Sequence, residues 1–121
     1  MSHAEQAVEF LRMCARGEVR EAYARHVADG FIHHNPWFAG DRESLLQAMQ
    51  DSAASEPNKA FDVRQVVDGG DRVAVLSRLQ RATGEEYAVV HIARFEGGRI
   101  VELWDLGQAV PDASPNLNGM F

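Results

Sequence analysis

A histidine and an aspartate stand inside a run that otherwise reads as hydrocarbon: Tyr87-Ala88-Val89-Val90-His91-Ile92-Ala93-Arg94-Phe95, then Gly97-Gly98, then Ile100-Val101-Glu102-Leu103-Trp104-Asp105. Two segments rich in β-branched and aromatic residues around a short Gly turn predict a β-hairpin. Such a hairpin has little use for an imidazole and a carboxylate on a core face unless they do chemistry. General acid–base work needs only titratable groups within reach of one proton. His34, which ends the extended Phe31-Ile32-His33-His34 just before Asn35-Pro36, is a third candidate.

Whether His91 and Asp105 meet is a matter of register, because side chains alternate with a period of two and a one-residue slip turns the whole set over. With Gly97-Gly98 as a two-residue turn, Glu96 pairs with Arg99, His91 lies opposite Trp104, and Asp105 points to the other side, where Arg94 or Arg99 could pair with it. With Glu96-Gly97-Gly98 as a three-residue loop and Gly98 left-handed, Phe95 pairs with Arg99 and His91 faces Leu103. The second register is expected. It gathers Val89, His91, Ala93, Phe95, Val101, Leu103 and Asp105 on one face and leaves Arg94, Glu102 and Trp104 on the other. Val90, Ile92, Ile100 and Trp104 make that other face apolar too, and exposed patches of this kind mark interfaces. A homodimer through the outer sheet face is therefore expected.

The elements that must position these groups follow from periodicity. Ala7, Phe10, Leu11 and Cys14 form one face of a first helix ending near Arg16-Gly17. Val19, Ala22, Tyr23, His26 and Val27 repeat the pattern in a second helix that ends before Gly30. Pro36 halts the short extended piece that follows, and Asp41 can cap a third helix carrying Leu45, Leu46, Met49 and Ala53 up to Pro57. Then the period changes to two: Phe61, Val63, Gln65 and Val67 alternate up to Asp68-Gly69-Gly70-Asp71, and Val73, Val75, Ser77 and Leu79 alternate beyond it. Helices first and an antiparallel meander afterwards predict an α+β fold with helices on one face of a curved sheet.

At 121 residues the chain supports one core, taken as a single domain over 1–121. Twelve basic and 18 acidic residues give a net charge of −6, which argues against nucleic acid and anionic membrane as partners. Cys14 has no second cysteine to pair with, and no apolar run approaches the roughly 18 residues of a spanning helix or the pattern of a signal peptide. A reducing cytoplasm is the expected location.

Phe31-Ile32-His33-His34-Asn35-Pro36 followed by Gly40, and the run from Gly98 through Glu102-Leu103-Trp104-Asp105 to Gln108, resemble the SnoaL-like polyketide cyclases of the nuclear transport factor 2-like superfamily. The likeness extends to the Asp68–Val75 turn and to the closing Asn116–Phe121. It implies a cone-shaped barrel of three N-terminal helices packed on a strongly curved, mainly antiparallel sheet with an internal pocket. In those cyclases an aspartate on the last strand and a histidine on the strand before it act on the substrate, and Asp105 and His91 hold the matching positions. In the related ketosteroid isomerases the three functional positions fall on Phe10, His91 and His34, and a phenyl ring cannot donate the hydrogen bond that site requires. The cyclase pattern fits better.

The resemblance thus implies a cofactor-independent aldol cyclase or isomerase acting on an apolar, carbonyl-containing, polyketide-like substrate, with neither metal nor cofactor invoked. Asp105 would be the general acid/base, its pKa raised by an apolar cavity. His91 would steady an enolate or pass the proton, and His34 would hold a polar end of the substrate. Phe10, Tyr23, Trp37, Phe38 and Leu103 are the expected contacts for a small apolar or aromatic ligand, Trp37 and Phe38 forming a wall or mouth. Because the superfamily uses the same cone for binding and assembly, a non-catalytic module is the alternative.

Several of these side chains have structural readings. His26 reads as a core histidine bonded to backbone, Tyr23 as a packed ring with a hydroxyl partner, and Cys14 as an inert buried thiol. His33 and His34, consecutive in an extended segment, point to opposite sides and do not chelate one ion. A metal held by His34, His91 and Asp105 fits on ligand type, but nothing in the spacing demands it.

Overall fold

Ser2 starts the first helix by a reciprocal cap: its hydroxyl accepts from the Glu5 N–H, and the Glu5 carboxylate accepts from the Ser2 N–H. The helix α1 spans His3–Ala15 and buries Ala7, Phe10, Leu11 and Met13, while Cys14 is only partly covered. The helix α2 runs Val19–His26 and buries Val19, Ala22, Tyr23 and His26. It stops one residue short of the expected stripe, because Val27 takes extended geometry and opens the strand β1, Val27–His34. Asp41 caps α3, Arg42–Ser55, accepting from the Ser44 N–H, and this helix ends before Pro57. The strands β2 (Asn58–Asp68), β3 (Arg72–Arg81), β4 (Glu86–Glu96) and β5 (Arg99–Ala109) complete the chain. This computed structural model describes residues 1–121, the side chain of Lys59 excepted.

The strands form one sheet in the order β1-β5-β4-β3-β2, antiparallel throughout except that β1 lies parallel to β5. The helices pack on one face, and the core between the layers holds Phe10, Tyr23, Phe31, Leu45, Ile100 and Leu103. This is the expected α+β architecture of three helices on a curved sheet. Bulges help to curve it. One falls between Val63 and Gln65 on β2, so the expected inward alternation holds only as far as Val63, and Val67 is 61% exposed.

The hairpin of β4 and β5 corrects the expected turn. Gly97 (φ 58°) and Gly98 (φ 77°) are both left-handed, and Glu96 pairs with Arg99, so the loop has two residues, not three. The register then shifts between Arg94 and Phe95, beyond which Arg94 pairs with Glu102 and His91 with Asp105. The physical cause is burial. Phe95, Ile100 and Leu103 all enter the core, and Ile100 and Leu103 stand an odd number of residues apart, which strict alternation cannot bury on one face. A bulge at Val101 absorbs the mismatch. Ile100 is therefore fully buried rather than part of the outer patch, and Val101 leaves the inner face it was expected to occupy. His91, Leu103 and Asp105 share a face by this route instead of through the longer loop.

His26 is buried beneath α1, 2% exposed, with its ring edge-on to Phe10. Its Nε2 stands 2.7 Å from Glu9 Oε2, close but not aligned as a hydrogen bond, so its partner is a carboxylate and not the expected backbone group. Burial lowers its pKa, opposed by Glu9 and assisted by Arg25 and Arg99. The unfolded chain therefore takes up this proton at a higher pH than the folded one, and stability falls as pH drops through the ordinary histidine value of about 6.5. The loss approaches about 1.4 kcal/mol per pH unit while only the unfolded chain is protonated. We expect urea midpoints to decline from pH 7 to pH 5 in the native chain and much less in His26→Leu. Equal slopes would show that another group is responsible.

Candidate functional site

A cavity of about 980 Å³ opens between α1, α3 and the inner face of β2–β5. Leu11, Leu45, Met49, Phe61 and Val89 give it an apolar belt, and Asp105 and His91 lie at one end. Both groups are mostly covered, with about a tenth to a fifth of their side-chain surface exposed (11% for His91, 19% for Asp105).

Cross-strand pairing brings the two together. His91 and Asp105 are direct partners in the ladder, and His91 Nε2 stands 3.1 Å from Asp105 Oδ1. That approach requires the imidazole hydrogen on Nε2, since two lone pairs at this distance would repel. His91 Nδ1 is buried without a partner. The second carboxylate oxygen of Asp105 accepts from Asn35 Nδ2 at 2.8 Å.

Asn35 is held by its own loop. Its Oδ1 accepts from the Trp37 N–H at 3.0 Å, an Asx turn that Pro36 favours. Its N–H donates to His33 Nδ1 at 3.0 Å, which leaves the hydrogen of His33 on Nε2 for the carbonyl of Ala39 at 2.6 Å. His33 is thus an inward-facing imidazole spent on backbone, and it fixes the loop that aims Asn35 at Asp105.

Burial raises the Asp105 pKa, but the adjacent His91, the Asn35 bond and the field of His33 outweigh it and hold the carboxyl below its ordinary value. This reverses the expected upward shift. At neutral pH the group is a hydrogen-bonded carboxylate, ready to accept a proton.

The two adjacent histidines point to opposite sides as expected, and it is His33 that turns inward. His34 borders the cavity mouth, but its ring lies on the outer face, stacked on Trp104 at 4.9 Å and bonded through Nε2 to Glu102 Oε2 at 2.6 Å. The β1–β5 register explains this, since His33 pairs with the buried Leu103 and His34 with Trp104. His34, His91 and Asp105 therefore do not converge. Among the described residues no group of three or more His, Cys, Asp or Glu is placed to hold a metal.

The expected ligand contacts divide into two groups. Trp37, 83% exposed, and Phe38 line the cavity at its rim. Phe10, Tyr23 and Leu103 lie in the dry core and do not line it. Phe10 meets Tyr23 edge-on at 5.4 Å, and the Tyr23 hydroxyl donates to Met49 Sδ at 3.4 Å. Burial pushes the Tyr23 phenol well above its usual range. Cys14 does line the cavity, its thiol pushed up to about 12 by burial and so poorly nucleophilic.

Sequence reasoning missed Asn35 and Arg81, the one Lys or Arg that lines the cavity among the described residues. Asn before Pro signals a turn, and nothing local tells that its amide reaches a strand 70 residues away.

Three helices on a curved mixed sheet, with an inward-facing Asp–His pair on its last two strands, define a cone of the nuclear transport factor 2-like class. The pattern of the SnoaL-like domain matches residues 7–103, and the chain belongs to that family. Comparison with curated sequences gives no match. Among solved structures the chain is similar to TsrD from Streptomyces laurentii, at 18% identity and TM-score 0.73 over 89% of this chain and 91% of that one. It is similar to a protein from Mesorhizobium loti provisionally named a SnoaL-like polyketide cyclase, at 22% identity and TM-score 0.65 over 88% of this chain and 99% of that one. AclR from Streptomyces galilaeus, provisionally named a hydroxylase, is 18% identical with TM-score 0.67 over 88% of this chain and 81% of that one. At these identities the likeness is one of fold. No helix is long and apolar enough to cross a membrane.

Proposed function

We propose that this protein binds an apolar carbonyl compound in the cone and rearranges it by proton transfer at Asp105, as an aldol cyclase or isomerase. The observation that carries the reading is the covered Asp105 carboxylate, held by His91 and Asn35 at the end of an apolar cavity. The Mesorhizobium protein's provisional cyclase name supports the same chemistry.

In the proposed reaction Asp105 takes a proton from a carbon flanked by carbonyls, and the C–H electron pair becomes an enolate. The enolate carbon attacks a second carbonyl and forms the C–C bond. The resulting alkoxide recovers the proton from Asp105, so the product is an isomer of the substrate. His91 keeps the carboxylate oriented through Nε2. Because Asp105 is held below the ordinary carboxylate range it is a weak base, which restricts the substrate to carbon acids already activated by two carbonyls, as in a 1,3-diketone.

The test needs no natural substrate. 2-Acetyl-1-tetralone in D₂O should exchange its activated C–H faster with protein than with buffer alone, in proportion to protein concentration. Exchange at the buffer rate by a properly folded protein would favour the non-catalytic binding module.

We also propose a homodimer through the outer sheet face, now formed by Val90, Ile92 and Trp104 with the more exposed Ile32 (47%) and Leu106 (57%). Light scattering should give twice the 13.4 kDa chain mass, and a monomer mass would overturn the proposal.

A further inference from the structure

The cavity extends well beyond Asp105. Its floor runs along β4 from His91 through Val89 to Tyr87 and along β3 through Leu79 to Arg81, which pairs with Asn58 on β2. At about 3.3 Å per residue, Tyr87 lies roughly 13 Å from His91, and Arg81 lies further still. Among the described residues Arg81 is the only Lys or Arg that lines the cavity.

Its surroundings are unusual for a guanidinium. One nitrogen, Nη1, donates to Asn58 Oδ1 at 2.9 Å, to the Glu56 carbonyl at 3.0 Å and to Ser52 Oγ at 3.4 Å. All three acceptors are neutral. No carboxylate lies within 4 Å among the described residues, and Nη2 and Nε have no partner among them. Glu85, on the approach to β4, is turned to the hydroxyls of Tyr87 and Thr83, and Glu56, which also lines the cavity, meets Arg81 through its carbonyl and not its carboxylate. The side chain is thus fixed in place by Nη1 while the rest of its fork is unspent. A fixed guanidinium fork fits a carboxylate in two parallel hydrogen bonds.

We propose that Arg81 anchors a carboxylate of the ligand, so that the substrate is an amphipathic acid with its apolar body in the belt of Leu11, Leu45, Met49 and Phe61. The proposal rests on the cavity being a small-molecule site, as above, but not on turnover. It also orients the ligand. The Asp105 carboxylate repels an acid group, so the reacting carbonyl is delivered to Asp105 and the acid to the free edge of the Arg81 fork.

The test is competition by decanoate, decan-1-ol and methyl decanoate against the neutral dye N-phenyl-1-naphthylamine at pH 7. Decanoate should bind about tenfold or more tightly than either neutral analogue. Arg81→Met should remove that preference while leaving the neutral affinities within about twofold, and Arg81→Lys should retain part of it. Equal binding of acid and ester by the native protein would overturn the anchor alone, as would an acid preference that survives in Arg81→Met. Should Arg81→Met fail to fold, the native acid-to-ester ratio and Arg81→Lys still decide. Failure of the dye and all three competitors to bind would overturn the cavity reading and this proposal with it.

Discussion

Asp105→Asn should slow protein-catalysed exchange at an activated C–H by about 10²–10⁴-fold while leaving dye affinity nearly unchanged. An amide cannot take the proton at neutral pH, and it is close enough in size to leave the cavity wall intact. It also rearranges the neighbourhood in a definable way. Asn35 Nδ2 needs an acceptor, so the new amide oxygen faces Asn35 and its NH₂ faces His91 Nε2. His91 must then move its hydrogen to Nδ1, which is buried without a partner, at a cost of about 1–3 kcal/mol in stability. The variant should fold, with a lower urea midpoint. Native exchange should persist as pH falls and decline only below the ordinary carboxylate range, because His91, Asn35 and His33 keep Asp105 ionised there against the pull of burial. A variant with native exchange rates would remove Asp105 from the chemistry.

The positions of that pair were readable from alternation, and the way they meet was not. A hydrophobic pattern places residues on faces only while the period stays strict. Phe95, Ile100 and Leu103 cannot all be buried at strict period, so the chain inserts a bulge, and the conflict becomes visible only when the core is assembled. The expected three-residue loop imitated the effect of that bulge by shifting the register at the turn instead. His33 and His34 illustrate a related limit. The sequence says that consecutive strand residues oppose each other, but which one faces inward is set by pairing with β5, an element about 70 residues later. Asn35 and Arg81 were invisible for the same reason, each acquiring its role from partners on another element.

Helix positions were more legible because their signals are local. Asp41 caps through a residue three positions on as expected, and the buried stripes of α1 and α2 lie close to those the 3.6-residue period predicts. What periodicity cannot provide is depth. It marks Phe10 and Tyr23 as apolar-facing without telling whether they end in the cavity or beneath it. The direction of the Asp105 shift differs from expectation for the same reason, since desolvation can be guessed from neighbouring leucines whereas a facing imidazole and the Asn35 amide cannot.

Depth decides the outcome at Phe10. Phe10→Ala should destabilise the fold by about 3–5 kcal/mol, measured by urea unfolding, out of a total that for domains of this kind is about 5–15 kcal/mol. The ring is fully buried, edge-on to Tyr23 at 5.4 Å and to His26 at 6.5 Å, so its removal leaves a void that the helix and sheet layers cannot both close. The void also lies beside the buried His26, where entering water would ease protonation in the folded state and so make the loss of stability below pH 6.5 shallower than in the native chain. Were Phe10 a cavity wall, as its sequence position suggests, truncation would cost less stability and change ligand affinity directly. The structure separates the two cases. Folded Phe10→Ala at low temperature should bind the neutral dye as the native protein does, whereas Trp37→Ala, at the exposed rim, should alter dye binding with stability unchanged within about 0.5 kcal/mol. A stable Phe10→Ala protein with altered dye affinity would move Phe10 from the core into the site.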